Sequence, residues 1–171
     1  LFGRFGRAFR LPTVDERVLS SANYDSFDLN TQTSWDVEVG ARQRVGKASY
    51  YGSAFLMQLK NEIVFNSTTF LNENIDPTRR LGLEGGADVP LADRWNLGLS
   101  GTWLQAKFRE GQFEGKDVPL TAEWTGSAKL RWEFRPDWTF TGTMTAVGPR
   151  RMENDEDNQG PRIPAHALFD M

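Results

Sequence analysis

The side chains that most often carry out catalysis or bind metal ions are sparse in this sequence. It contains one histidine, His166, and no cysteine, so no cluster of histidine and cysteine ligands can form a zinc centre. The six residues "ENDEDN" (153–158) include four carboxylates, but they lack the glycine and the terminal glutamate of an EF-hand loop. We interpret them as a solvated loop, with cation binding as the alternative. The sequence therefore predicts no enzyme, no metal site and no cofactor.

The overall composition excludes a second large class of proteins. The chain has 171 residues, of which 25% are charged, and its formal net charge is −3. A protein that binds nucleic acid through its phosphates usually carries a strong basic excess. We therefore predict no nucleic-acid partner.

The stretch "AEWTGSAKLRWEF" (122–134) shows the pattern from which the fold is predicted. Every second residue is apolar or small, and the residues between them are polar, which is the period of a β-strand. Trp124 and Trp132 lie on the apolar side, eight residues apart, or about 26 Å along a strand. A tilt of about 40° reduces this to roughly 20 Å in height, close to the apolar band of a membrane β-barrel.

The same alternation recurs along the chain. It predicts strands at residues 1–9, 34–44, 49–65, 80–91, 95–107, 122–134, 138–146 and 165–171, and no helix with a convincing period. The connections alternate between tight turns, near Gly46, Asp93 and Pro136, and long loops, which places all the turns at one end of the sheet. For the strand at 49–65 we assign Tyr51, Phe55, Met57, Leu59, Ile63 and Phe65 to the apolar face, and Gln58, Lys60 and Glu62 to the other.

All six tryptophans fall on the apolar faces of these predicted strands. Three lie beside tight turns and three beside long loops: Trp95, Trp132 and Trp138, and Trp35, Trp103 and Trp124. Such positions predict two aromatic belts, one at each membrane surface; a soluble β-sandwich is the alternative. The fold predicted is all-β, an antiparallel transmembrane β-barrel segment of about eight strands with short periplasmic turns and long extracellular loops. The other face is crowded with charge, which favours a wide barrel.

Six segments in order resemble TonB-dependent outer-membrane receptors: "GRAFRLPTVDE" (6–16), "TSWDVEVGAR" (33–42), "NEIVF" (61–65), "NENIDPTRRLGLEGG" (72–86), "GKDVPLTAEWTGSAKLRW" (115–132) and "PAHALFDM" (164–171). The resemblance implies a barrel of 22 strands around an N-terminal plug, in which these strands are roughly numbers 13 to 20. Residues 1–171 are then expected to be a partial barrel domain without the plug, the TonB box and the final strands.

The resemblance also implies a function. It predicts part of an outer-membrane receptor that binds and imports an iron–siderophore or similar chelate with TonB-coupled energy. The expected partners are outer-membrane lipid, the chelate, and TonB through the absent N-terminal region. A passive porin-like or structural barrel is the alternative.

Loop arginines and aromatic residues suit an anionic chelate, because guanidinium groups and ring faces both bind such groups. The predicted ligand-binding residues are Arg10, Arg17, Tyr24, Arg79, Arg109, Arg150 and Arg151. For the last two, neutralisation by the neighbouring acidic loop is the alternative, through Glu153, Asp155, Glu156 or Asp157.

Overall fold

The fold is one large antiparallel sheet with two short hairpins at one end. The computed structural model describes residues 1–17 and 28–171. In chain order its strands are β1 (Phe2–Arg10), β2 (Gln32–Val45), β3 (Ala48–Lys60), β4 (Glu62–Asn66), β5 (Leu71–Ile75), β6 (Thr78–Ala92), β7 (Trp95–Phe108), β8 (Trp124–Arg135), β9 (Trp138–Val147), β10 (Arg150–Arg151), β11 (Arg162–Ile163) and β12 (His166–Asp170). The large sheet has the order β1-β2-β3-β6-β7-β8-β9-β12, and β4–β5 and β10–β11 are the hairpins. Its edges, β1 and β12, are not joined, so the sheet is an open barrel segment.

A single helical turn, α1 (Val14–Arg17), is the helix among the described residues. It begins with a capping box, since the Thr13 amide donates to Glu16 Oε2 over 2.8 Å and the Glu16 amide donates to Thr13 Oγ1 over 3.3 Å. No helix within the described ranges has the length and hydropathy needed to cross a membrane.

The predicted arrangement of turns and loops is confirmed. The tight turns at 46–47, 93–94 and 136–137 lie between antiparallel neighbours, and the left-handed backbone of Gly46 (φ 60°) suits such a turn. All three lie at one end of the sheet, here called the turn end. The segments 11–31, 61–77, 109–123 and 148–165 connect the strands at the other, here called the loop end.

The strand register places all six tryptophans on one face of the large sheet, as predicted. Trp95 pairs with Trp132 and Trp103 with Trp124, and paired residues point to the same side. The rings of Trp95 and Trp132 stack with their centroids 4.8 Å apart. We call this side the aromatic face and the opposite side the charged face.

The side-chain assignment for 49–65 is wrong. Phe55 pairs with Glu38 and Gly82, so this ring lies on the charged face. Tyr51, Met57 and Leu59 share its side, whereas Gln58 and Lys60 lie on the aromatic face. For Tyr51 and Phe55 the physical reason is that the residues opposite them on β6 are glycines, which have no side chain. The Phe55 ring occupies the space that a Cβ atom on Gly82 would take. The Tyr51 ring does the same at Gly86, where a Cβ atom would lie 2.5 Å from Tyr51 Cε1.

The predicted strand at 49–65 is also divided. Asn61 adopts a left-handed backbone (φ 56°), which asparagine tolerates better than most residues, and the chain turns there. β3 ends at Lys60, and Ile63 and Phe65 lie in the separate hairpin β4–β5.

The small core of the described chain lies under the loops. Ala106, Phe108 and Val118 are buried together, with Ile75 and Phe113 packed against them. Ala106 and Phe108 lie on the charged face of β7, in register with Arg80 and Thr78. The loops therefore fold over the charged face at the loop end and cover part of it.

Candidate anion-binding site

The loop after β7 turns back and extends the sheet beyond the end of β8. The Phe108 amide donates to Lys116 O over 3.0 Å, and the Val118 amide donates to Ala106 O over 3.1 Å. This pairing places Asp117 directly opposite Lys107. The next segment continues the pairing, because the Leu120 amide donates to Arg151 O over 3.1 Å, and β10 then pairs with β11.

Asp117 is the centre of a cluster of cations at this extension. Lys107 Nζ lies 3.1 Å from Asp117 Oδ1, and Arg162 Nη2 and Arg151 Nε lie 3.2 Å and 3.7 Å from Oδ2. Asn158 fixes the aspartate backbone, since its Oδ1 accepts the Asp117 amide over 2.7 Å and its Nδ2 donates to Asp117 O over 3.0 Å. One carboxylate therefore joins three cations from three segments of the chain.

Two further carboxylates complete this group, which we call the Asp117 cluster: Lys107, Asp117, Glu123, Arg151, Asp155 and Arg162. Arg162 also pairs with Glu123, and Arg151 Nη1 lies 3.7 Å from Asp155 Oδ2. The cluster borders a cavity of about 390 Å³, whose lining also includes Trp103, Gln105, Thr121 and Arg150.

Arg150 and Arg151 differ in their surroundings. The Arg151 side chain is 17% exposed and donates to Asn158 O over 3.0 Å. Its one partner in the acidic loop 153–157 is Asp155, so neutralisation by that loop accounts for Arg151 in part. Arg150 pairs through its backbone with Ile163, and its guanidinium has no ion pair or hydrogen bond to any part of the chain that the structure describes.

Arg10 and Arg17 lie at the first loop, near α1. Arg10 forms an ion pair with Glu16. The Thr13 amide that donates to Glu16 lowers the pKa of this carboxyl below its ordinary value of 4.5, and Arg10 lowers the pKa further. Arg17 donates to Leu29 O over 3.4 Å. Tyr24 lies outside the described residues.

Arg79 and Arg109 lie on the aromatic side of the sheet. Arg79 is paired with Gln58 on one neighbouring strand and with Lys107 on the other, which places it on the aromatic face. Arg109 donates to Gln58 Oε1 and forms an ion pair with Glu110. The predicted ligand residues that the structure describes therefore fall into three groups and do not form one site.

Sequence reasoning missed the residues around which these arginines are organised. Asp117 and Arg162 are 45 residues apart, and nothing in their local sequences signals that they meet. A second pair, Arg80 and Glu62, lies under the loops with Arg80 Nη2 2.6 Å from Glu62 Oε1. One local signal was present in the sequence: "TVDE" has the spacing of a capping box, which Thr13 and Glu16 form at the start of α1.

The ionisable groups of the loop end limit the kinds of ligand that could bind there. Within residues 1–17 and 28–171, no three carboxylate or histidine side chains converge to hold a metal ion. Carboxylates outnumber cations in the loop segments, so most cations there have an acidic neighbour. A guanidinium without such a partner among the described residues, as at Arg150, can bind carboxylate, phosphate or other anionic oxygens.

Comparison with known proteins gives a consistent result. The family model described as "TonB dependent receptor-like, beta-barrel" matches residues 1–171. The fold is similar to that of the ferric yersiniabactin uptake receptor FyuA from Yersinia pestis, with a TM-score of 0.77 at 17% identity over 98% of this chain and 26% of that chain. It is also similar to the copper transporter OprC, with a TM-score of 0.73 at 18% identity over 98% of this chain and 27% of that one.

A third similar structure is a mutant of the ferric enterobactin receptor PfeA from Pseudomonas aeruginosa. Its TM-score is 0.72 at 17% identity, over 98% of this chain and 29% of that one. The chain thus spans less than a third of the length of these three proteins.

Proposed function

Since the chain belongs to the TonB-dependent receptor β-barrel family, we propose that it forms part of a receptor that imports an iron–siderophore or similar metal chelate with TonB-coupled energy. The observation that carries the proposal is the match of the family model to the whole of residues 1–171. Barrels of this family lie in the outer membrane, so the aromatic face contacts lipid and the charged face lines the lumen.

The similar structures support a metal complex as the cargo. Two of them are described as a ferric yersiniabactin uptake receptor and a ferric enterobactin receptor, and a third as a copper transporter. The individual chelate is specified by loops and by a plug domain together, and residues 1–171 supply only some of those loops.

Within these loops we propose Arg150 as the first contact to the chelate. Its guanidinium has no ion pair or hydrogen bond to the described residues, and the alternation along β10 places it on the opposite side of that strand from Arg151, which belongs to the Asp117 cluster. A free guanidinium can donate two parallel hydrogen bonds to a carboxylate or a catecholate. Arg151 is held by Asp117 and Asp155, so its proposed role is to position the loop that carries Arg150. Arg10, Arg17 and Tyr24 of the first loop are proposed as further contacts.

Energy coupling is tested by uptake of iron-labelled siderophores into cells that carry the full-length receptor. Uptake by a TonB-dependent receptor stops when the tonB gene is deleted or the proton-motive force is dissipated. Uptake that continues at the same rate without TonB would instead identify the passive barrel.

The role of Arg150 is tested by titrating the same cells with ferric siderophores at equal receptor abundance. Arg150→Ala should weaken binding roughly tenfold or more, because a charge-assisted hydrogen bond contributes about 1.5–3 kcal/mol. Arg150→Lys is the matched control, which keeps the charge and loses the bidentate geometry, and it should give an intermediate affinity. An unchanged dissociation constant for Arg150→Ala would remove this residue from the binding site.

A further inference from the structure

The aromatic face has a one-sided distribution of charge. Away from the bulge at the turn end of β8, the regularly paired strands of the large sheet place four charged side chains on this face, and all are cations: Arg7, Lys60, Arg79 and Lys107. All four lie in the part of their strand that is nearest the loop end. The charged face, in contrast, mixes both signs, with acids such as Asp36, Glu84 and Asp88 beside its cations.

These cations are poorly compensated by the protein. Lys60 and Arg79 are exposed, and neither has an ion pair or side-chain hydrogen bond to the residues that the structure describes. Arg79 lies directly opposite Lys107, and like charges in that relation repel each other. Lys107 is the one of the three with an acidic partner, Asp117. Lys60 and Arg79 are thus placed where they gain no ion pair from the residues that the structure describes.

Their height relative to the tryptophans places them just above the headgroup layer, within reach of it. Lys107 lies four residues beyond Trp103 on β7, which is about 13 Å along the strand. With a tilt of about 40°, this is about 10 Å above the belt formed by Trp103 and Trp124. An aromatic belt marks the boundary between hydrocarbon and headgroups, and the headgroup layer extends beyond it by roughly 5–8 Å. Lysine and arginine side chains are long enough to bend back into that layer.

We propose that Lys60, Arg79 and Lys107 form a binding surface for the phosphate of an anionic lipid headgroup in the outer leaflet, and we call these residues the cation patch. Charge complementarity and position select this occupant, because phosphate-bearing headgroups are the anions present at that height of a membrane surface. The guanidinium of Arg79 offers a fork of donors that fits a phosphate. The inference rests on the membrane location of the barrel and goes beyond import. It assigns Arg79 to lipid instead of the imported chelate.

The test is native mass spectrometry of the full-length receptor in detergent, titrated with lipid A, phosphatidylglycerol or phosphatidylcholine. The wild type should retain the two phosphate-bearing anionic lipids in preference to zwitterionic phosphatidylcholine. The double variant Lys60→Gln/Arg79→Gln should lose this retention by roughly tenfold or more, because each cation near a membrane surface adds to the attraction. Neither residue has an ion pair or side-chain hydrogen bond to residues 1–17 or 28–171, so the variant should fold as the wild type does.

Two control variants make the result specific. Arg79→Lys keeps the charge and should keep most of the lipid retention. Lys129→Gln removes an exposed cation from the charged face, beside Gly98 and Thr143, and should leave retention unchanged. The proposal would be overturned if Lys129→Gln lost as much lipid as the double variant does. Full lipid retention in the double variant would also overturn it.

A separate titration with inorganic phosphate distinguishes the source of the anion. Displacement of the lipid by low concentrations of inorganic phosphate would show that the patch binds free phosphate and would refute a lipid site. Siderophore binding by the double variant reports on the other proposal. It should remain at the wild-type level, so failure of import and failure of lipid binding are separate observations.

Discussion

The Asp117 cluster and the cation patch lie side by side at the loop end and share Lys107, yet they treat positive charge in opposite ways. In the cluster, three carboxylates lie within 4 Å of the cations, and the side chains range from 8% exposed at Asp155 to 46% exposed at Glu123. In the patch, Lys60 and Arg79 are exposed and form no ion pair with the residues that the structure describes. The difference teaches that a loop arginine identified from sequence can either hold the protein together or remain free for a ligand, and that its carboxylate neighbours decide which.

The largest effect is expected when a cation is introduced on the aromatic face away from the patch, nearer the membrane midplane. Leu99 lies on this face between Ala87 and Ala128. Leu99→Arg should destabilise the full-length receptor by roughly 2–4 kcal/mol near the membrane midplane, measured by urea titration in lipid vesicles. Thr141→Arg on the charged face is the matched control and should cost less. Equal losses for the two variants would contradict the assignment of the faces and, with it, the position of the patch.

A smaller effect is expected when the centre of the cluster is removed. Asp117→Ala leaves Lys107, Arg151 and Arg162 facing one another, which should destabilise the loops by about 1–3 kcal/mol, in view of their partial exposure. The measurement is hydrogen exchange of the amides in 116–123 and 150–163, where protection should fall. Asp117→Asn keeps a hydrogen-bonding oxygen and should lose less. Unchanged exchange in both variants would show that these ion pairs do not hold the loops.

The smallest effect concerns pH and a single ion pair outside the cluster. The pKa of Glu16 is lowered by the Thr13 amide and by Arg10, so its contribution to stability is present above the ordinary pKa and is lost as the pH falls through the lowered value. The protection of the α1 amides, which is the intrinsic exchange rate divided by the measured rate, should therefore fall only below about pH 4.5. Glu16→Gln should abolish this pH dependence, and its persistence in that variant would assign it to another group.

The parts of the fold that were predictable from sequence depend on local patterns. The turn end, the strand order and the common face of the tryptophans follow from alternation and from turn residues, which neighbouring residues specify. The face of β3 was not predictable, because it has apolar residues on both sides: Leu56 on the aromatic face and Phe55 on the charged face. The sequence of β3 alone gives no information on the glycines of β6.

The candidate sites were predictable only as residue types. The arginines at loop positions were identified, but their partners lie far along the chain. Asp117 meets Arg162 across 45 residues, and Asn154 meets Ser67 across 87. Such contacts depend on how separate loops pack together, which a single sequence with no local periodicity does not encode in readable form. The Arg79 position likewise became informative only when the register placed Lys107 opposite it.

The rings of Tyr51 and Phe55 over Gly86 and Gly82 have a consequence for how the sheet assembles. A strand with apolar residues on both sides can pair with its neighbour in two registers that differ by one residue, with little preference from burial alone. In the observed register each ring meets a residue that has no side chain. A shift of one residue would bring Phe55 against Leu81 or Leu83, where the space is already filled. The two glycines therefore select a single register between β3 and β6 as the barrel assembles.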